Sequence, residues 1–122
     1  MTKRPSPGTD EFFGNWVTQA RKGLLELSIL NVLRGQRLYG YDIVKMLRQV
    51  EGLFISEGTI YPILSRFRRE GLVEASYEPS PEGPVRRYYT LTPAALEVLA
   101  RMNEYWRRIK RGMDSTMRED RP

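Results

Sequence analysis

Neither cysteine nor histidine occurs anywhere in the chain. Their absence removes several kinds of chemistry at once. A zinc centre built on thiolate or imidazole has no ligands, and a cysteine nucleophile or a Ser-His-Asp triad has no members. No disulfide can staple the fold, so packing alone must hold the core. Long apolar runs are missing too: none approaches the ~18 residues needed to span a bilayer. The opening stretch MTKRPSPGTD is polar and turn-rich and lacks a secretory apolar region, so it reads as a flexible tail over residues 1–10. Paired carboxylates at catalytic spacing and phosphate-binding loops are also not found. These gaps argue against an enzyme and imply neither a metal nor a cofactor. They also place the chain in the cytoplasm without a membrane partner.

What is present describes a small globular protein. With 122 residues, 40% hydrophobic and 29% charged, the chain makes one domain rather than a disordered segment. Its formal charge is +5 and its pI about 9.7. A basic balance attracts polyanions, chiefly nucleic acid or an acidic membrane. Charge alone fits a merely solvated basic surface equally well, so its arrangement has to decide.

Hydrophobic periodicity predicts a helix from Glu11 to Arg34, closed by Gly35. Its second half is apolar nearly all round (Leu24, Leu25, Leu27, Ile29, Leu30, Val32, Leu33), which implies burial on more than one side and a second subunit over part of it. After a short turn from Gly35 to Leu38, Ile43, Val44, Leu47 and Val50 recur at helical spacing up to Gly52. Ile60, Ile63, Leu64 and Phe67 then form one face of a further helix ending at Gly71. Pro62 would disrupt a helix interior, so regular helix is expected to begin near Thr59 after a looser turn. Two short amphipathic helices joined by a tight link are the helix-turn-helix pattern. Leu72–Glu78 and Val85–Leu91 alternate as strands around the loop PSPEGP, which makes a β-hairpin wing. Thr92-Pro93 opens a long helix, with Thr as cap and Pro at the first position. Along it Ala95, Leu99, Met102, Trp106, Ile109 and Met113 repeat every four and three residues, a heptad seam flanked by Arg101, Glu104, Arg107, Arg108, Lys110 and Arg111. The expected organisation is a winged helix-turn-helix over 11–91, mainly α with a small β part, a dimerisation helix over 92–113, and a charged tail over 114–122.

The segments KGLLELSILNVL, YGYDIVKML, GTIYPILSRFRREGLV and RRYYTLT resemble the PadR-like family of bacterial transcriptional regulators. The resemblance runs from about Gln19 to Ile109. It implies a winged helix-turn-helix homodimer that binds double-stranded DNA, usually as a repressor. A single C-terminal helix is similar to the short subfamily, some members of which bind flat aromatic compounds between the subunits. The lead DEFFGNW and the wing loop depart from the family pattern.

With its apolar face inward, the second helix of the helix-turn-helix exposes Thr59, Tyr61, Ser65, Arg66 and Arg69 to a major groove. Arg66, Arg68 and Arg69 together equally suit a solvated face, but the position in the motif favours DNA. Ser56 and Thr59 can cap the helix, receive a phosphate, or both. The Tyr39 hydroxyl either reaches a phosphate or belongs to a half-buried core tyrosine. Arg86 and Arg87 are adjacent on a strand and point to opposite faces, with at least one on the DNA backbone; Tyr88 and Tyr89 are packing residues. The expected dimer interface comprises Trp16, Leu24, Leu27, Leu99, Met102, Trp106, Ile109 and Met113. Trp106 is either a seam tryptophan or, with its symmetry mate and Met102, the wall of a slot for a small aromatic effector. Phe12, Phe13 and Trp16 are candidates to fill that slot instead. Gly23 within the first helix fits close helix approach at such an interface. The rival to a DNA-binding regulator is a winged-helix module that uses its arginine face for a protein partner and has no operator of its own.

Overall fold

A computed structural model of the chain describes residues 7–53 and 55–117. Of the tails expected over 1–10 and 114–122, residues 1–6 and 118–122 lie outside the described residues. Seven elements follow one another: α1 (Pro7–Leu33), β1 (Leu38–Tyr39), α2 (Gly40–Leu47), α3 (Glu57–Arg69), β2 (Val73–Ser80), β3 (Gly83–Leu91) and α4 (Pro93–Thr116). The strands form one antiparallel sheet in the order β1-β3-β2. Four helices with this sheet make a winged helix-turn-helix, the fold expected from the pattern.

Several boundaries differ from those that periodicity predicts. Helix α1 begins at Pro7 rather than Glu11; proline is tolerated at a first helical position because the N–H it lacks has no intrahelical partner there. Helix α2 stops at Leu47, well short of Gly52. Tight turns follow, with Gln49 N–H donating to Met46 O, Val50 N–H to Leu47 O and Leu53 N–H to Val50 O. They leave Val50 44% exposed and bring Leu53 and Ile55 into the core. Gly52, at φ +89°, makes the reversal that a side chain would resist. Helix α3 runs from Glu57 straight through Pro62. The carbonyl that proline deprives of a partner is that of Gly58 in the first turn, which is exposed and open to water.

The wing loop is also shorter than its composition suggests. Ser80 pairs with Gly83, leaving a two-residue turn. Pro79 stands at a register shift between Glu78 and Ser80, and Pro84 lies on a stretch of β3 flanked only by β2. Both are places where a missing N–H is tolerated. Strand β1 has no counterpart in the periodicity, because two residues carry no period. Its register sets Leu38 against Tyr89 and Tyr39 against Tyr88, which ties the wing to the entry of α2.

The core gathers Leu25, Ile29, Leu30 and Leu33 of α1 with Ile43, Val44 and Leu47 of α2, and Ile60, Leu64 and Phe67 of α3. Val73 and Tyr89 close it from the sheet and Leu99 from α4. Thr92 accepts a bond from Ala95 N–H (3.1 Å) and donates one to Gly71 O (2.7 Å), so the cap of α4 is fastened to the end of α3. Where α4 crosses α1, the amides of Asn31 and Asn103 bond reciprocally at 2.8 and 2.9 Å.

Beyond that amide pair the two helices part. Between them lies an open groove of about 590 Å³, bordered by Gly23, Leu24, Leu27, Met102, Trp106 and Ile109 among others. A second hollow, of about 680 Å³, adjoins it and adds Trp16. Most of the expected interface residues therefore border an apolar surface that the single chain leaves open. Met113, 50% exposed further along α4, borders neither hollow, and Leu99 does not reach this surface at all. Leu99 is 1% exposed within its own subunit, because the first turns of α4 lie over the winged-helix core and the seam emerges only from Met102 onward. It has no surface to offer a partner. Among the described residues no helix is long and apolar enough to cross a membrane.

Candidate nucleic-acid interface

Helix α3 turns Ile60, Leu64 and Phe67 inward. At about 100° per residue, its opposite face is centred on Pro62, Ser65 and Arg69. Tyr61 and Arg68 lie to one side of that centre, toward α2 and the wing; Thr59 and Arg66 lie to the other, toward α1. Thr59, Tyr61, Ser65, Arg68 and Arg69 are all exposed, and Ser65, Arg68 and Arg69 together line a shallow concavity. Arg68 was not singled out by periodicity for this surface, although the RFRR run that contains it was the available signal.

At the start of α3, Ser56 occupies the cap position but makes no side-chain bond to the backbone. Its hydroxyl instead meets that of Thr59 at 3.0 Å. Two exposed hydroxyls thus sit side by side at the end of the helix where N–H groups are unpaired and the dipole is positive, which suits a phosphate oxygen.

Tyr61 owes its position to a glycine. A Cβ at Gly40 would stand 2.6 Å from the Tyr61 ring, so only the absent side chain lets the phenol lie against the start of α2. Partial burial, with Glu57 nearby, raises the Tyr61 pKa above its ordinary value. The hydroxyl therefore stays protonated and available as a donor.

Tyr39, Gly40, Tyr61, Val85, Arg86, Arg87 and Tyr89 border a single cleft between α3, the start of α2 and the wing. Four residues from three separate segments, Tyr39, Tyr61, Arg86 and Arg87, thus come together as a basic, hydroxyl-bearing recess. Alternation sends the two arginines to opposite sides of β3. Arg86 lies 4.8 Å over the ring of Tyr39, and Arg87 5.0 Å over that of Tyr77. Both nevertheless reach the rim of the cleft. Bonding to the side chain of Tyr88 raises the pKa of Arg86, and bonding to Tyr89 does the same for Arg87, so both remain cations. Tyr89 is 2% exposed and belongs to the core.

At half-buried Tyr88 the Arg37 guanidinium lies over the ring at 4.1 Å, and the Tyr39 ring meets it tilted, at 5.6 Å. Arg37 also pairs with Glu78 and reaches Ser76 of β2. Sequence periodicity could not single out Arg37, because it lies in a turn and meets its partners only through the sheet.

Arg66 departs from the expected arrangement. It lies about 60° round from Arg69 on the α1 side, and there its guanidinium donates to Glu26 Oε1 at 2.5 Å, with Glu70 at 3.6 Å. The hydrogen bond to Glu26 is the chief cause of its raised pKa. A face count on α3 alone cannot reveal this, because the carboxylate that takes Arg66 is forty residues away in the chain.

Residues 29–101 match the model of the transcriptional regulator PadR-like family. Among solved structures, the chain is similar to a PadR-like transcriptional regulator from Bacillus cereus, at 33% identity and a TM-score of 0.75 over 84% of this chain and 99% of the other. It is similar to a PadR family transcriptional regulator from Eggerthella lenta, at 27% identity and a TM-score of 0.77 over 94% and 100% of the two chains. A PadR family transcription regulator from Clostridium difficile matches at 31% identity and a TM-score of 0.69, over 76% and 97%.

Proposed function

Because this chain belongs to the PadR-like family of DNA-binding transcriptional regulators, we propose that it is a homodimeric, cytoplasmic repressor that reads a specific duplex operator. The observation that carries this reading is the meeting of Tyr61 of α3 with Arg86 and Arg87 of the wing at one cleft, with Ser65 and Arg69 of the same helix also exposed. Helix α3 enters the major groove, with Tyr61, Ser65 and Arg69 toward base edges. Ser56, Thr59, Tyr39 and the wing arginines hold the flanking phosphates. Two such units related by a two-fold axis meet successive major grooves about 34 Å apart. Helix α4, as the single C-terminal helix of the short subfamily, joins the subunits together with α1.

Selection of bound fragments from a random DNA pool tests the reading. A defined, two-fold symmetric sequence should emerge. Against it, Arg69→Ala should lose about 1–3 kcal/mol of preference over unrelated duplex. Enrichment of no sequence at all would leave the rival protein-binding module standing.

Release from the operator is assigned to a small planar aromatic compound held between the two Trp106 side chains. Support comes from the apolar groove beside Trp106, which is itself 38% exposed, and from the adaptable Met102 on its wall. A ligand there alters the crossing of the long helices and with it the spacing of the readers. A planar dye should quench tryptophan emission in the native protein and bind more weakly to Trp106→Phe, while DNA affinity survives; Trp16 supplies the emission that remains. By reciprocity, a ligand that loosens DNA must bind the DNA complex more weakly by the same factor. Quenching that ignores Trp106 would remove the effector from this account.

A further inference from the structure

Arg66 differs from the other arginines of its helix. Arg68 and Arg69 are exposed, whereas Arg66 is half-buried and engaged by a carboxylate of another element. That element, α1, is the helix whose Leu24 and Leu27 border the apolar groove. Glu26 lies between these two leucines in sequence and is rotated toward α3. One turn of α1 thus carries the groove wall on one side and a grip on the recognition helix on the other.

The geometry of the grip suits orientation better than stability. An ion pair with both partners about one-third exposed contributes little to folding. The directional bond to Glu26 on α1, however, restrains rotation and sliding of the helix that bears Arg66, while Glu70, four residues on along that same helix, holds the guanidinium in place. The apolar contacts of Ile60, Leu64 and Phe67 are non-directional by comparison. With its donors turned to α1, Arg66 is poorly placed to meet a base edge.

We propose that Arg66 is a positioning residue: its ion pair with Glu26 sets the pitch of the recognition helix against α1, and through α1 against the groove. This inference rests on the DNA-binding reading for its effect on the operator, but the clamp itself can be observed without DNA.

The test is a double-mutant cycle of Arg66→Ala and Glu26→Ala, completed by the exchange Arg66→Glu with Glu26→Arg. Operator affinity should fall about tenfold in each single variant and no further in the double. The exchanged pair should recover most of the loss. A base-reading arginine behaves otherwise. Glu26→Ala would then leave affinity unchanged or raise it, and the exchange would abolish binding; either result overturns the proposal.

In parallel, spin labels at Lys22→Cys of α1 and Arg68→Cys of α3 report the inter-helix distance in DNA-free protein, since the chain has no cysteine of its own. The distance distribution should broaden in either alanine variant and narrow again in the exchanged pair. An unchanged distribution overturns the clamp even if affinity falls. A broadened one with unchanged affinity shows that the clamp does not set the readers, which overturns it too. Should the exchanged pair not fold by circular dichroism, the cycle and the distances decide alone. If native protein binds no duplex, the DNA reading fails, while the distances still decide whether the clamp exists.

Discussion

Trp106→Glu is expected to turn the protein into folded monomers and to weaken operator binding by roughly 10²–10⁴-fold, the factor lost when two linked contacts become one. The native protein should sediment at micromolar concentration with about twice the chain mass of 14.3 kDa. Trp106 is 38% exposed in the single chain, so a carboxylate there harms the subunit's own core little. In the dimer it would sit in the apolar groove with Leu24, Leu27, Met102 and Ile109, where an unpaired charge is strongly disfavoured. Sedimentation, circular dichroism and operator titration on the same sample separate the possibilities. A native protein that is monomeric at micromolar concentration would sink the dimer model and the effector model together. A dimeric Trp106→Glu variant would show that the subunits meet elsewhere.

Removing both wing arginines is expected to act on all DNA alike. Arg86→Ala with Arg87→Ala deletes up to four phosphate contacts from a dimer, so the slope of log K against log salt should become shallower by about 3 to 4. Affinity for operator and for unrelated duplex should fall in parallel, leaving preference nearly intact, because phosphates carry no sequence information. The fold should persist, since both side chains are exposed and stack on the outside of Tyr39 and Tyr77. An unchanged salt slope would mean that the wing does not touch the backbone. A loss confined to the operator would mean that it reads bases.

The apolar faces of α1, α2 and α3, the hairpin and the capped start of α4 are all legible in the order of residue types. Burial imposes a period of 3.6 or 2 on any segment that must hide one face, and Thr92-Pro93 marks its helix start by local chemistry. Boundaries were less legible. Turns of i→i+3 type after Leu47 keep nearly the same spacing as a helix, a proline near a helix start costs only one bond, and two-residue β1 shows no period.

Local pattern therefore determined the winged-helix fold, the apolar repeat along α4 and the basic run on α3, because each follows from neighbours within a turn or two. Tertiary structure alone decided how individual side chains are used. Arg66 turns to Glu26 because α1 brings a carboxylate within reach; Leu99 is enclosed because α4 starts over the core; and Tyr61 reaches the wing cleft because Gly40 leaves space for its ring. In each case the deciding partner is distant in sequence. Coulomb attraction and steric exclusion act over a few ångströms of space, whatever the number of residues in between.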